Sequence, residues 1–88
     1  MADPAFTEAF LRRLIEVERM ASTAELATFD RTLARIIDDP YLSEQFPTFY
    51  DPQHPTFLLR AEPFFVEFAV DEQTQAVTFV SLFYRGRI

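Results

Sequence analysis

The chain contains no cysteine, no lysine and no tryptophan, and has one glycine and one histidine in 88 residues. Without cysteine there are no disulfides, no thiolate metal ligands and no cysteine nucleophile. The lone Gly86 excludes the phosphate-cradling loops of nucleotide-binding proteins, which need several glycines at fixed spacing. The lone His54 excludes a histidine-built metal centre, because a bound metal takes three or four converging ligands. His54 therefore reads as a surface or loop-bracing residue, and no metal or other cofactor is expected. No apolar run approaches the roughly 20 residues of a membrane-spanning helix. No charged-then-apolar leader opens the chain, so a cytoplasmic location away from membranes is expected.

What is present is apolar and acidic. Hydrophobic residues make up 49% of the chain, with eleven Phe and three Tyr. That supplies the core of one small domain spanning residues 1–88, near the lower size limit for unaided folding. Each ring contributes about 1.5–3 kcal/mol when fully buried. The formal net charge is −6. Residues 1–55 carry ten acids and five arginines, a net of −5; residues 56–88 carry four acids and three arginines, a net of −1. Such a balance argues against direct nucleic-acid binding, which needs a net basic face to displace counterions. Arg85 and Arg87 make the C-terminal end a local cationic spot.

Local signals divide the chain in two. Asp3 and Pro4 have the character of an N-cap and a first helical residue. Phe6, Phe10, Leu14, Val17 and Ala21 follow at helical spacing, widened by Leu11, which predicts a first helix over 4–21. Ser22 and Glu25 have capping-box spacing and open a second helix over 23–39, with Leu26, Phe29, Leu33, Ile36 and Ile37 as its stripe. Asp39-Pro40 ends it. The short break between the two implies an antiparallel hairpin.

Residues 40–56 read as a loop: Pro40, Pro47, Pro52 and Pro55 alternate with Tyr41, Phe46, Phe49 and Tyr50. These rings could close the end of the core or form a protein-contact surface. A three-stranded meander is expected over 57–85. Phe64, Val66, Phe68 and Val70 alternate with Phe65, Glu67 and Ala69, and a polar turn over 71–75 leads into the last strand. Strict alternation there puts Val77, Phe79, Ser81 and Phe83 on one face and Thr78, Val80, Leu82 and Tyr84 on the other. A strand apolar on both faces should have both covered, so a second subunit, a partner segment or a curled-over loop is expected over the sheet. The fold class is thus α+β, an N-terminal helical hairpin packed on a C-terminal antiparallel β-meander.

Candidate chemistry is confined to Arg60, Tyr84, Arg85 and Arg87, which a meander can bring toward one end of the sheet. They could clamp a phosphate, pair with acids of a partner, or pair with Glu62 and Glu67 within the chain. Asp38 and Asp39 oppose the dipole at a helix end, a hint of a nearby arginine. The expected partner-binding set is Arg60, Val80, Leu82, Tyr84, Arg85 and Arg87, with Phe46, Phe49 and Tyr50 from the loop.

The order helix, helix, proline loop and meander resembles the RelE/ParE superfamily of bacterial toxins. The best section is residues 57–87, with an arginine, an aromatic-rich strand, an acidic turn and an apolar strand ending in a basic tail. Arg60 falls where the family has the arginine preceding its second meander strand. Phe65 and Phe68 take the places of frequent tyrosines, and Tyr84, Arg85 and Arg87 fall on the terminal His/Tyr–Arg segment. The chain departs from the family in its acidity, its lack of lysine, the absence of a candidate base among the matched positions, and an apparently missing first strand.

The resemblance implies a toxin-like component of a type II toxin-antitoxin system that acts by protein binding, as in the ParE branch. Its antitoxin would cover the sheet. The alternatives are a non-toxic dimerisation or adaptor domain, forming a homodimer, and a ribosome-dependent mRNA endoribonuclease using Arg60, Tyr84, Arg85 and Arg87.

Overall fold

The computed structural model describes residues 4–49 and 55–85, the side chain of Phe49 excepted. The elements run β1 (Ala5–Phe6), α1 (Glu8–Met20), α2 (Thr23–Asp38), β2 (Phe46–Phe49), β3 (Thr56–Ala61), β4 (Phe64–Val70) and β5 (Val77–Tyr84). The strands form one sheet in the order β1-β5-β4-β3-β2, antiparallel except for the β1–β5 pair, which is parallel. The α+β class and the helical hairpin on a meander are as the sequence predicts. The sheet is larger than expected, with one extra strand at each edge.

Both additions have local causes. The first strand is present after all: Ala5 and Phe6 pair with Thr78 and Phe79, and the Thr7 amide continues the ladder by donating to the Phe79 carbonyl at 3.0 Å. The helix signal at Pro4 is therefore overridden. Thr7 caps α1 instead, its hydroxyl accepting from the Phe10 amide at 3.1 Å. In the proline-rich stretch, β2 pairs with β3 through Phe46↔Leu58 and Pro47↔Phe57. It lies at the sheet edge, where a proline's missing donor is tolerated.

The second helix matches its signals closely. Ser22 and Glu25 form the reciprocal capping box, at 3.1 and 2.9 Å. Asp39 caps the C-terminus, its carboxylate accepting from the Tyr41 amide at 3.1 Å, so the turn rather than an arginine occupies it. The β4–β5 turn is closed by Asp71, whose side chain accepts from the Gln73 and Thr74 amides. Gln75 completes it in the left-handed region at φ 61°.

The core lies between the helices and one face of the sheet. Phe10 and Val17 of α1 and Phe29 and Ile36 of α2 meet Leu59, Phe64, Val66, Phe68, Val70, Val77, Phe79 and Leu82, all buried. Rings run without interruption from Tyr84 through Phe64, Phe29, Phe10, Phe79, Phe68 and Phe57 to Tyr41, with successive centroids 5.1–6.4 Å apart. Those spacings suit tilted and edge-on aromatic contacts. Leu11, expected on the inner stripe of α1, is instead 45% exposed beside Ile15 at 54%.

Candidate functional site

The face of the sheet away from the helices is the candidate site, and a single bulge shapes it. On β4 the partners Glu67↔Ser81 and Phe68↔Phe79 skip Val80, which is the extra residue of a β-bulge. The Thr7 hydroxyl donates to the Val80 carbonyl at 2.7 Å, tying the bulge to the start of α1. Beyond the bulge the alternation changes phase. Leu82 and Tyr84 join Val77 and Phe79 on the helix side, while Ser81 and Phe83 turn away from it. This corrects the strict alternation expected of the last strand. It also removes part of its double apolarity, because Leu82 is buried in the core and is closed to a partner.

Cross-strand register assembles the open face in three rows. Arg60, Phe65 and Phe83 form the first; Phe46, Leu58, Glu67 and Ser81 the second; Thr56, Ala69 and Thr78 the third. Phe46 is 60% exposed and Phe83 52%, with Leu58 and Phe65 half-buried. The sequence grouped Phe65 and Glu67 on one face of β4 by their alternation, and the structure makes that face the open one. It misplaced Phe83, because a bulge leaves no local mark in the pattern.

Arg60 and Tyr84 do not converge. Arg60 lies on the open face, donates to Glu62 at 2.6 and 2.8 Å, and spreads over the Phe65 ring at 6.0 Å. Tyr84 lies on the other face, its ring 5.4 Å from Phe64 and its hydroxyl donating to Glu25 at 3.0 Å. The sheet thus separates Arg60 from Tyr84. Arg85 follows β5 with an exposed side chain, its amide donating to the Pro63 carbonyl at 2.8 Å. Arg87, Tyr50 and His54 lie outside the described residues, as does the side chain of Phe49.

Tyr41, one of the expected aromatic pegs, sits at the far end of the ring series with its hydroxyl donating to Glu72 at 3.1 Å. Burial, the Glu72 hydrogen bond and the charges of Glu72 and Asp71 together raise its pKa above the ordinary 10.0. A shallow cavity of about 190 Å³ lies nearby, bordered by Pro4, Ile37, Asp38, Thr74 and Val77. It brings together no acid–base pair. Among the described residues no group of three or more His, Asp or Glu side chains is placed to hold a metal, and no helix is long and apolar enough to cross a membrane.

No protein-family model matches the chain, and no curated protein matches it in sequence. Among solved structures, it is similar to a chain of the archaeal RelE-RelB complex from Pyrococcus horikoshii OT3. The two share 14% identity and a TM-score of 0.75, and the match covers all of both chains. The likeness is one of fold: the chain has a RelE-like architecture, including the short first strand that its sequence conceals.

Proposed function

We propose that the chain is a toxin-like component of a bacterial type II toxin-antitoxin system, acting through protein binding and held by an antitoxin over its sheet. The observation that carries this reading is full-length similarity in fold to a chain of a RelE-RelB complex, combined with an uncovered sheet face bearing Phe46, Phe65 and Phe83. Large exposed aromatic side chains on one face of a small domain are a feature of partner sites. The arrangement of Arg60 and Tyr84 favours binding over an endoribonuclease, since the two occupy opposite faces and each has a carboxylate partner. Expression of the chain alone from an inducible promoter should arrest bacterial growth, and co-expression of the product of the adjacent reading frame should relieve it. Unimpaired growth at high soluble expression would reject the toxin reading.

One observation favours the dimeric adaptor as a second reading. Strand β1 pairs only with Thr78 and Phe79, so the outer edge of β5 over 81–84 has no strand partner among the described residues. Such an edge can pair with its own copy. Light scattering at high concentration distinguishes the two, an isolated monomer excluding the adaptor.

A further inference from the structure

The open face contains one charge, Glu67, that has no partner among the described residues. Glu67 is the middle residue of the central strand β4, flanked across the sheet by Leu58 and Ser81 and along the strand by Phe65 and Ala69. It is half-buried, and no hydrogen bond or ion pair reaches it among the described residues. Arg60, in the adjoining row of the same face, is already engaged by Glu62 and the Phe65 ring. A carboxylate thus stands in the middle of a surface built from Phe46, Leu58, Phe65, Phe83 and small residues, with the Glu62-paired Arg60 in the adjoining row.

That placement discriminates among occupants. Nucleic acid would bring phosphates onto a carboxylate, against the charge requirement for binding. An anionic lipid surface meets the same repulsion. A second copy docked through the centre of this face with two-fold symmetry would set Glu67 against Glu67, and the −6 chains already repel one another. A segment with a cation among apolar residues satisfies every element, and like charge juxtaposed in an interface is the arrangement selection avoids.

We infer that the open sheet face receives a segment of a partner protein in which a Lys or Arg pairs with Glu67 while flanking apolar side chains pack on Phe65 and Phe83. An arginine suits the site best, because its planar group can both engage the carboxylate and stack on the neighbouring rings. The inference rests on the partner-bound reading above and states the chemistry of the partner. Its test is independent of toxicity.

Short random peptides displayed on phage should be selected separately against the wild-type chain and against Glu67→Arg. Peptides selected on wild type should be enriched in Lys or Arg within apolar sequence, and those selected on Glu67→Arg in Asp or Glu. A wild-type-selected peptide should bind Glu67→Gln roughly tenfold more weakly, a loss in the range of one interfacial charge pair. On titration it should shift the amide resonances of Phe65, Glu67 and Phe83. Glu67→Gln is nearly isosteric and faces away from the core, so an unchanged melting temperature for it confirms that binding alone is affected. Identical charge preferences in the two selections would overturn the inference, as would peptides that perturb only the helices. Saturable binding of a single-stranded RNA oligomer to the face, or a dimer that dissociates on Phe83→Ala, would overturn it in favour of the other occupants. Failure of growth arrest with a positive selection would reject the toxin and leave the docking face standing.

Discussion

The two faces of the sheet are made from the same strands and differ in what they ask of each residue. On the helix side, Phe64, Val66, Phe68, Val70, Val77, Phe79 and Leu82 are all buried against α1 and α2. On the open side, Phe65, Glu67, Ser81 and Phe83 alternate with them and meet no helix. The covered face is a sealed core in which volume and shape govern stability. The open face keeps aromatic area in contact with water, a cost to the isolated chain that a partner would recover. Burial and exposure are thus divided between residues adjacent in sequence and opposite in space, and the proposed recognition would fall to the exposed set.

Phe68→Ala is the strongest challenge to this division. Its ring packs between Phe57 and Phe79, and truncation should cost about 3–5 kcal/mol or leave the chain unfolded, read by urea denaturation. Phe83→Ala, across the sheet, should cost less than about 1 kcal/mol while weakening partner binding. Equal losses of stability at the two sites would end the distinction between faces.

A smaller effect tests what sets the phase of β5. Thr7→Ala removes both the α1 cap and the bond to the Val80 carbonyl, and should destabilise by about 1–2 kcal/mol. Thr7→Ser keeps both bonds and should recover most of that. If the bulge depends on this hydroxyl, the amide resonances over 80–83 will move in Thr7→Ala and not in Thr7→Ser.

Tyr84→Phe probes whether Tyr84 belongs to the covered face. Losing its hydrogen bond to Glu25 should lower stability by about 1 kcal/mol and leave partner binding unaltered. A loss of binding without a loss of stability would return Tyr84 to the recognition surface.

The smallest effect concerns Tyr41. Its folded pKa is raised above the ordinary 10.0 by burial and by Glu72, so the unfolded chain ionises first as the medium becomes alkaline. The associated stability is complete below pH about 10 and is lost as pH rises through the folded value. Tyr41→Phe should flatten that part of the denaturation profile, a modest change because the ring is partly exposed.

How much of this was visible beforehand follows the range of each signal. The Ser22–Glu25 capping box, the inner stripe of α2 and the strict alternation of β4 are written within a few residues and hold in three dimensions. The candidate site was legible in part. Arg60 and Phe46 do lie on the open face, whereas Leu82 and Tyr84 were assigned there by an alternation that the bulge breaks. Glu67 was legible as sharing one face of β4 with Phe65 and Ala69. Its isolation at the centre of the face became apparent once Arg60 was seen to be engaged by Glu62.

The linear pattern was enough for the fold class and for much of the core, because hydrophobic periodicity and helix caps act between near neighbours. The extra edge strands, the bulge at Val80 and the division of β5 between two faces came from contacts made at long range. Ala5 and Phe6 are a strand because β5 offers them an edge, and Leu82 is buried because the bulge at Val80 shifts the register that carries it there. A two-residue strand and an inserted residue have no periodicity of their own. The open face, expected from a last strand apolar on both sides, is therefore a property of the assembled sheet, with Phe65, Glu67 and Phe83 turned away from the helices.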